Sequence, residues 1–366
     1  MKLHFETDFD SIQKSIESIE PNQYAKTRNY INGAVTYLSP YISRGVISTK
    51  QVLKSVMERG FELSDIEKFV KELAWRDYFQ RVWQEKNINL DLKSTQEKVA
   101  HFEMPKQILE AKTGILGIDN AIKNLYETGY MHNHCRMYTA SLACNIAQSH
   151  WKTPAQWLYY HLLDGDWASN ACSWQWVAGS NSGKKYYANQ ENISKFTQTP
   201  IQNSFLHQDY SVLEGTGIPE ILKETIIFEG QTVLPEAGQL IFDVVLPTFI
   251  YNYYNLDPGW HVAEKGNRIL LLEPAIFQQY PVSQKCVDFM LDLSKNIPDI
   301  QVFVGSFESF QSQYKAEKLY YKEHPLNVHY KGVEESRDWI SDEVSGYFPS
   351  FFSYWKVLEK KLKKAV

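Results

Sequence analysis

Residues 128–181 read TGYMHNHCRMYTASLACNIAQSHWKTPAQWLYYHLLDGDWASNACSWQWVAGSN, and two parts of this stretch differ from an ordinary core. Residues 131–137 set a polar cluster inside a helical pattern. Residues 164–176 hold two carboxylates, an amide and two tryptophans of a Trp-Gln-Trp motif. Such groups are costly to bury unless they form hydrogen bonds and stack on a partner. The pattern therefore favours a large, flat ligand with polar edges.

The composition excludes several classes of protein. A chain of 366 residues can form two domains of ordinary size, and 43% hydrophobic against 22% charged residues excludes a mainly disordered chain. No apolar run approaches the roughly 20 residues of a membrane helix, and the first residues do not read as a signal peptide. The four cysteines lack metal-binding spacing. We expect a cytoplasmic protein with reduced thiols and without zinc or iron–sulfur sites.

The net charge of −5 argues against a nucleic-acid partner, but the charge is unevenly distributed. Residues 1–200 carry 23 basic and 21 acidic side chains, whereas residues 201–366 carry 15 and 22. The first part of the chain can therefore still present a basic face.

Two segments before the opening stretch carry helix signals. The hydroxyl-rich turn 36–39, followed by Pro40, is typical of helix capping, and exposed amides at such a turn are also suited to phosphate oxygens. Ser64 and Glu67 resemble a capping box for the next helix. On that helix Glu72 and Arg76 lie among aromatic residues, either as a simple ion pair or as the lining of a pocket.

Beyond residue 200 the pattern changes to alternating strands and helices. A polar connector leads to apolar runs of strand length that are separated by helical spacing. This order predicts a small parallel sheet. The expected strands are 239–246, 268–273, 300–305 and 326–330, and the expected helices are 282–296 and 351–364.

A series of motifs follows one order along residues 20–200. They are Tyr24-x-x-x-Arg28, Leu38-Ser39-Pro40-Tyr41, Glu72-Leu-Ala-Trp75-Arg76, Thr113-Gly114 with Asp119, Thr128-Gly129-Tyr130-Met131-His132-Asn133-x-x-Arg136-Met137, Asp164-Gly165-Asp166-x-Ala-x-Asn170 and Trp174-Gln175-Trp176. In this order and spacing they resemble the helical flavin-binding domain of the photolyase/cryptochrome family.

The resemblance implies a mainly α fold. We expect a photolyase-like helical FAD-binding domain over 1–200, a connector over 201–235 and a small α/β domain with a short parallel sheet over 236–366. Members of the family begin with an α/β antenna domain, so one hypothesis is that residues 236–366 form a permuted or reduced antenna domain. No pigment-binding residues match, and the resemblance gives no support for a second antenna chromophore.

The resemblance also implies which side chains contact FAD. Those matching positions near the phosphates are Tyr24, Thr36, Leu38 and Ser39. Those matching positions around the ring system, ribose and adenine are Glu72, Arg76, Asn133, Arg136, Asp164 and Asp166. Asn170 matches the position facing flavin N5, where a neutral amide can bond either state of that nitrogen.

In photolyases, light drives an electron from reduced FAD to a pyrimidine dimer, whose ring then splits. The resemblance implies that Trp75 and Trp176 stack on the extruded pair, that Glu72 bonds its edge and that Met137 packs beneath it. Asn133 and Met137 resemble the class that acts on cyclobutane dimers. Trp174 and Trp151 match two members of the electron-transfer chain, and no third tryptophan occurs near 99–102.

Three functions stay open from the sequence. The first is a light-dependent DNA repair enzyme acting on UV-damaged DNA, with single strands as one candidate substrate. The second is a cryptochrome-like blue-light photoreceptor with a signalling partner, which the acidic net charge and the unusual C-terminal region favour. The third is a flavoprotein that has lost its light function.

Overall fold

A computed structural model describes residues 3–236 and 238–365. Met1, Lys2, Ala237 and Val366 fall inside the expected domain ranges but outside the described residues. The helices are α1 Phe9–Glu17, α2 Pro21–Thr27, α3 Ser39–Ser43, α4 Thr49–Glu58, α5 Glu67–Glu85, α6 Lys106–Leu109, α7 Leu116–Thr128, α8 Asn133–Ser141, α9 Lys152–His161, α10 Trp167–Ala178, α11 Gln190–Thr197, α12 Tyr210–Gly215, α13 Pro274–Gln279, α14 Gln284–Ser294, α15 Phe307–Tyr314 and α16 Phe351–Ala365.

The strands form two sheets. They are β1 Met104–Pro105, β2 Thr225–Ile226, β3 Thr248–Tyr251, β4 Asn267–Leu272, β5 Ile300–Val304, β6 Leu319–Lys322 and β7 Val333–Glu335. β1 and β2 pair antiparallel, and the other five form a sheet of order β5-β4-β3-β6-β7 in which each neighbouring pair is parallel. The mainly helical fold with a small parallel sheet is therefore confirmed.

The chain packs into two compact units whose segments alternate along the sequence. Unit 1 comprises residues 1–4, 22–35 and 85–230, and unit 2 comprises 5–21, 36–84 and 231–366. This division differs from the expected linear one at 200 and 235. Helices α1, α3, α4 and most of α5 are grouped with the C-terminal sheet, and most of the expected connector is grouped with unit 1, where β2 pairs with β1.

Unit 1 is built around fully buried tryptophans on neighbouring helices. Trp151, Trp157, Trp167 and Trp174 are almost inaccessible to solvent. α7 ends at Gly129, whose φ of 74° is left-handed, and a Cβ there would lie 2.6 Å from the Leu163 side chain. Only glycine combines that backbone conformation with so close an approach. This turn places the start of α8 beside the end of α9.

In unit 2, β4 is buried along its whole length, as expected for the interior of a parallel sheet. The expected strand at 239–246 is wrong, because the Gln301 side chain bonds both the N–H and the C=O of Ile241 and no ladder forms. The expected strand at 326–330 is also wrong, because the backbone there turns through bonds from Asn327 to His324 and from Tyr330 to Asn327. The observed strands closest in sequence to these two segments are β3, which follows 239–246, and β6, which precedes 326–330.

The capping expectations were wrong in part. α5 begins at Glu67 itself, so Ser64 lies too early to cap it. α3 begins at Ser39 with Pro40 in its first turn, as expected for a helix start, but Leu38 at the cap position makes no side-chain hydrogen bond. The capping box is formed instead by Ser48 and Gln51 at the start of α4, a Ser-x-x-Gln signal visible in the sequence.

Within 3–236 and 238–365, no helix is both long and apolar enough to cross a membrane. Over the same residues, no group of three or more metal-binding side chains is arranged to hold an ion. The cysteines Cys135, Cys144, Cys172 and Cys286 are free and buried. Burial raises the pKa of Cys135 to about 12, which keeps this thiol protonated.

Candidate flavin site

The polar cluster of the opening stretch forms the first turn of α8 in unit 1. His132 caps this helix, since its Nδ1 accepts a hydrogen bond of 3.2 Å from the His134 N–H. Burial, together with the positive charges of His134 and Arg136, lowers the pKa of His132 to about 4. The imidazole is therefore neutral at neutral pH, as an accepting Nδ1 requires.

Arg136 and Asp164 form a buried ion pair in the same unit. Arg136 Nη2 lies 3.0 and 2.9 Å from the two carboxylate oxygens of Asp164, and its Nε donates to the Met131 carbonyl at 2.7 Å. The Asp164 side chain is only 5% exposed and that of Arg136 20%. The guanidinium is thus held rigidly from two sides, which orients its positive charge.

Asp166 caps the next helix. Its Oδ1 accepts from the Ala168 N–H at 2.9 Å, and its Oδ2 accepts from the Ser169 hydroxyl at 3.1 Å. Asp166 is buried, and these contacts stabilise its charge at the positive end of α10. The chain itself therefore accounts for the burial of this carboxylate.

Asn170 lies buried one turn into α10. Its Nδ2 donates to the Ala155 carbonyl on α9 at 2.8 Å, which fixes the orientation of the amide. Because the carbonyl of Ala155 can only accept, the amide nitrogen must face it. The Oδ1 atom is then the group of this side chain that is left to accept another hydrogen bond.

The remaining predicted residues on α8 and α10 differ in exposure. Asn133 is exposed, and Met137 is half-buried. Trp176 is 41% exposed, an unusual value for a tryptophan, and its ring lies 5.9 Å from that of Tyr186. Trp176 can therefore present an aromatic surface to a partner.

The two predicted electron-transfer tryptophans are both buried in unit 1. Trp151 donates from its indole Nε1 to a carboxylate oxygen of Asp91 at 2.7 Å, and its ring lies 6.5 Å from that of Trp167. Trp174 is likewise buried. Neither Asp91 nor Trp167 was singled out from the sequence. Trp167 had a visible signal, because it stands inside the Asp-Gly-Asp-Trp motif, whereas nothing near Asp91 marks it.

The predicted phosphate-contacting residues are divided between the units. Tyr24 is half-buried on α2 in unit 1. Thr36, Leu38 and Ser39 lie in unit 2, where Tyr37 between them adopts a left-handed φ of 54°. Such a conformation costs a bulky residue roughly 1–3 kcal/mol, and it is often found at functional turns.

The predicted residues of α5 lie close to this turn within unit 2. Arg76 donates to the hydroxyl of Ser43 and approaches the Ser39 carbonyl at 3.4 Å, which links α5 to α3. Trp75 stacks on Phe351 of α16, with ring centroids 3.7 Å apart and planes inclined by 8°. One face of the Trp75 ring is therefore covered by the chain itself. Glu72 is half-buried on the same helix.

The class of this domain follows from comparison with known proteins. Residues 69–204 match the family described as "FAD binding domain of DNA photolyase". The resemblance of this part of the chain to the photolyase/cryptochrome family is thereby confirmed.

Two named relatives, a photo-lyase and a cryptochrome DASH, support the same assignment over a limited length. The chain is 33% identical over 203 residues to a deoxyribodipyrimidine photo-lyase of Agrobacterium fabrum, covering 48% of this chain and 42% of that protein. It is 33% identical over 187 residues to a chloroplastic/mitochondrial cryptochrome DASH of Ostreococcus tauri, covering 48% and 33%. A cryptochrome structure from Synechocystis sp. PCC6803 aligns with a TM-score of 0.46 at 22% identity, over 53% of this chain and 44% of that one. The chain thus spans half or less of these relatives.

Proposed function

We propose that this protein binds FAD and uses light to split cyclobutane pyrimidine dimers in UV-damaged DNA. The match to an FAD-binding domain and the relatives named photo-lyase support the proposal. The observation that carries it is the pairing on α10 of an oriented amide, Asn170, with an exposed aromatic ring, Trp176. The oriented amide can form a hydrogen bond with a flavin, and the exposed ring can stack on an extruded base.

The polar groups of unit 1 fit a reduced flavin. The guanidinium of Arg136, which is ion-paired with Asp164, is partly accessible and can also donate a hydrogen bond to an anionic ring, while Asn133 is exposed beside it on α8. The Oδ1 of Asn170 can accept from a protonated N5. Asp164 and Asp166 complete the proposed contacts there. The further proposed contacts are Tyr24, Thr36, Leu38, Ser39, Glu72 and Arg76. When bound, the reduced flavin would supply the light-promoted electron that splits the dimer and would recover it afterwards.

Stacking on Trp176 would offset part of the free-energy cost of extruding the damaged pair. Extruding a nucleotide costs a few kcal/mol, and less when the lesion has already weakened pairing. A base stacked on an aromatic side chain recovers about 1–3 kcal/mol. In the proposal, Met137 and Asn133 pack against the lesion from α8, and Glu72 and Trp75 contribute from α5.

Trp174 and Trp151 are proposed to carry electrons to the flavin. Both are buried, which excludes water from the path. The Asp91 carboxylate at the Trp151 indole N–H stabilises positive charge on that ring and can receive its proton. This contact supports Trp151 as an electron donor beyond its match to the family motif.

A cryptochrome-like photoreceptor is the second candidate, favoured by one specific observation. The ring of Trp75, which would contact the lesion in a photolyase, is stacked on Phe351. If that contact persists, the lesion is held by one tryptophan instead of two. In this alternative the C-terminal region would receive a signalling partner.

Repair is tested by reducing the bound flavin, adding UV-irradiated oligothymidine and following the ultraviolet absorbance of thymine in blue light and in darkness. Recovery only in light is expected. Trp176→Ala should retain flavin but bind the lesion about tenfold or more weakly, because one stacking contact is lost. Phe102→Ala is the matched control, since it removes another exposed ring of the same unit, 66% exposed.

Two results would contradict the proposal. Flavin that is bound and reducible, with no recovery of thymine in light, would favour the photoreceptor. Lesion affinity that is equal in Trp176→Ala and Phe102→Ala would remove Trp176 from the binding pocket.

A further inference from the structure

Helix α16 carries a row of exposed side chains that the flavin site does not use. Phe352, Lys356, Lys360 and Lys364 are spaced four residues apart, so they lie on one face of the helix about 6 Å apart along its axis. All four are exposed, and Phe352 is 71% exposed. We define these four residues as the α16 stripe.

The opposite face of α16 is packed inside unit 2. Phe351 stacks on Trp75, and Tyr354, Trp355, Leu358 and Leu362 are buried. Because this apolar face is already covered, α16 cannot lay a broad apolar surface into a lipid bilayer. Its solvent-exposed stripe consists of one aromatic ring, Phe352, followed by three lysines at intervals of four residues.

The lysines of α16 divide into paired and unpaired sets. Lys361 bonds Glu343 at 2.7 Å, and Lys363 bonds Glu359 at 2.5 Å. Lys356, Lys360 and Lys364 form no ion pair with any of the described residues. In a chain with a net charge of −5, three lysines in line that form no ion pair are a local concentration of positive charge, although Lys364 is also within electrostatic range of Glu343, which Lys361 already pairs. Helix-dipole compensation accounts for Lys364 in the last turn but not for Lys356.

We propose that the α16 stripe binds single-stranded nucleic acid, with the lysines on successive phosphates and Phe352 stacked on a base. An aromatic side chain beside a track of cations is the combination that holds single strands without reading their sequence. The proposal goes beyond the proposed repair function and does not depend on it, because it requires neither flavin nor a lesion.

The test uses fluorescence anisotropy of undamaged, labelled oligothymidine with the full-length protein at several salt concentrations. Replacing all three stripe lysines (Lys356→Gln, Lys360→Gln and Lys364→Gln) should make the slope of log affinity against log salt shallower by about 2, since each phosphate contact on a single strand contributes about 0.7. Phe352→Ala should weaken binding about tenfold without changing the slope.

The matched control is Lys361→Gln with Lys363→Gln, which removes two lysines of the same helix that are already paired. Its salt slope should stay within about half a unit of the wild-type value. Cooperative thermal unfolding of each variant verifies the fold, and it should be unchanged because the altered residues are on the surface.

Three outcomes overturn the proposal. A salt slope of the triple variant equal to that of the paired control would show that the three stripe lysines do not contact phosphates. Oligothymidine binding that survives unchanged in both the triple variant and Phe352→Ala would place the nucleic-acid site elsewhere. Stripe-dependent binding to phosphatidylglycerol vesicles, without binding to oligothymidine, would reassign the surface to membranes.

Discussion

Asp164 and Asp166 find their hydrogen-bonding partners inside the chain. Arg136 neutralises the first, and the start of α10 surrounds the second. Their burial alone therefore does not demand a ligand, although the sequence pattern favoured one for that reason. The stronger pointers to a ligand are the amide of Asn170, which keeps an accepting oxygen, and the exposed ring of Trp176.

Titration of His132 should make the free energy of unfolding depend on pH. Its pKa is about 4 in the folded protein and about 6.5 when unfolded, so between these values only the unfolded chain takes up the proton. Stability should therefore fall as the pH is lowered from about 6.5 towards 4. His132→Asn keeps a capping acceptor but removes the titration, so its decline over this window should be smaller, as measured by urea unfolding across the pH range.

Identical pH dependence in the wild type and in His132→Asn would contradict this assignment. Part of the decline will remain in the variant, because burial also lowers the pKa of His134, His150 and His324. The informative quantity is therefore the difference between the two curves.

Phe102 offers a way to complete the electron path. Its exposed ring stacks on His150 at 5.1 Å, and His150 lies 5.7 Å from Trp151. Phenylalanine is not readily oxidised, so Phe102→Trp should add a redox-active group at the surface and speed photoreduction of bound flavin severalfold. The loss of oxidised-flavin absorbance under blue light with a thiol donor measures the rate.

Ile201→Trp is the control for Phe102→Trp, since it adds a tryptophan at another exposed position of unit 1. It should leave the rate unchanged. A Phe102→Trp rate equal to that of the control would show that electrons do not reach Trp151 through this surface.

Helix α5 is the element that joins the helices of unit 2 to its C-terminal segment. Asp77 accepts from the Thr49 hydroxyl at 2.9 Å and from the Ile340 N–H at 2.6 Å, and Arg81 donates to the Val344 carbonyl at 2.5 Å. These bonds lie within the protein, away from water. The helix was predicted from its periodicity, but none of these partners could be.

Asp77→Ala should destabilise unit 2 by about 3–5 kcal/mol, because it leaves the buried Ile340 N–H and the Thr49 hydroxyl without their acceptor and removes the carboxyl group that interacts electrostatically with Arg81. Urea unfolding measures the loss. Asp65→Ala removes an exposed carboxylate just before the same helix and should change stability by no more than about 0.5 kcal/mol. Equal losses in the two variants would refute the anchoring role.

Across the whole molecule, the chain passes between the two compact units five times. Residues 5–21 and 36–84 belong with 231–366, and the bond from the Phe9 N–H to Asn296 illustrates how distant segments meet. The linear domain order expected from the motifs therefore does not describe how unit 2 is assembled.

Fragments cut at the expected boundaries should fail to fold. Residues 1–235 alone would expose the faces of α4 and α5 that contact 337–344, and residues 236–366 alone would lose the same contacts. Neither fragment should unfold cooperatively, whereas the two produced together should. A sharp thermal transition in isolated 236–366 would show that the α/β region is independent.

The sequence was sufficient for the helical pattern at 131–137, the buried strand β4, the partly buried strand β5, and α14 and α16. Each of these is specified by neighbouring residues through hydrophobic periodicity and helix-ending signals. The motif order was likewise sufficient for the flavin-binding class, confirmed over 69–204. The strand prediction at 239–246 was wrong because the backbone of Ile241 bonds the Gln301 side chain and not a neighbouring strand.

Only the tertiary structure decided which partners the polar and aromatic residues take. Asp77 meets Ile340 across 263 residues, and Trp75 meets Phe351. Such contacts depend on the path of the whole chain, and local sequence patterns do not determine that path. The residue types of the proposed flavin and lesion site can therefore be read from the sequence, while the surfaces left open to a partner cannot.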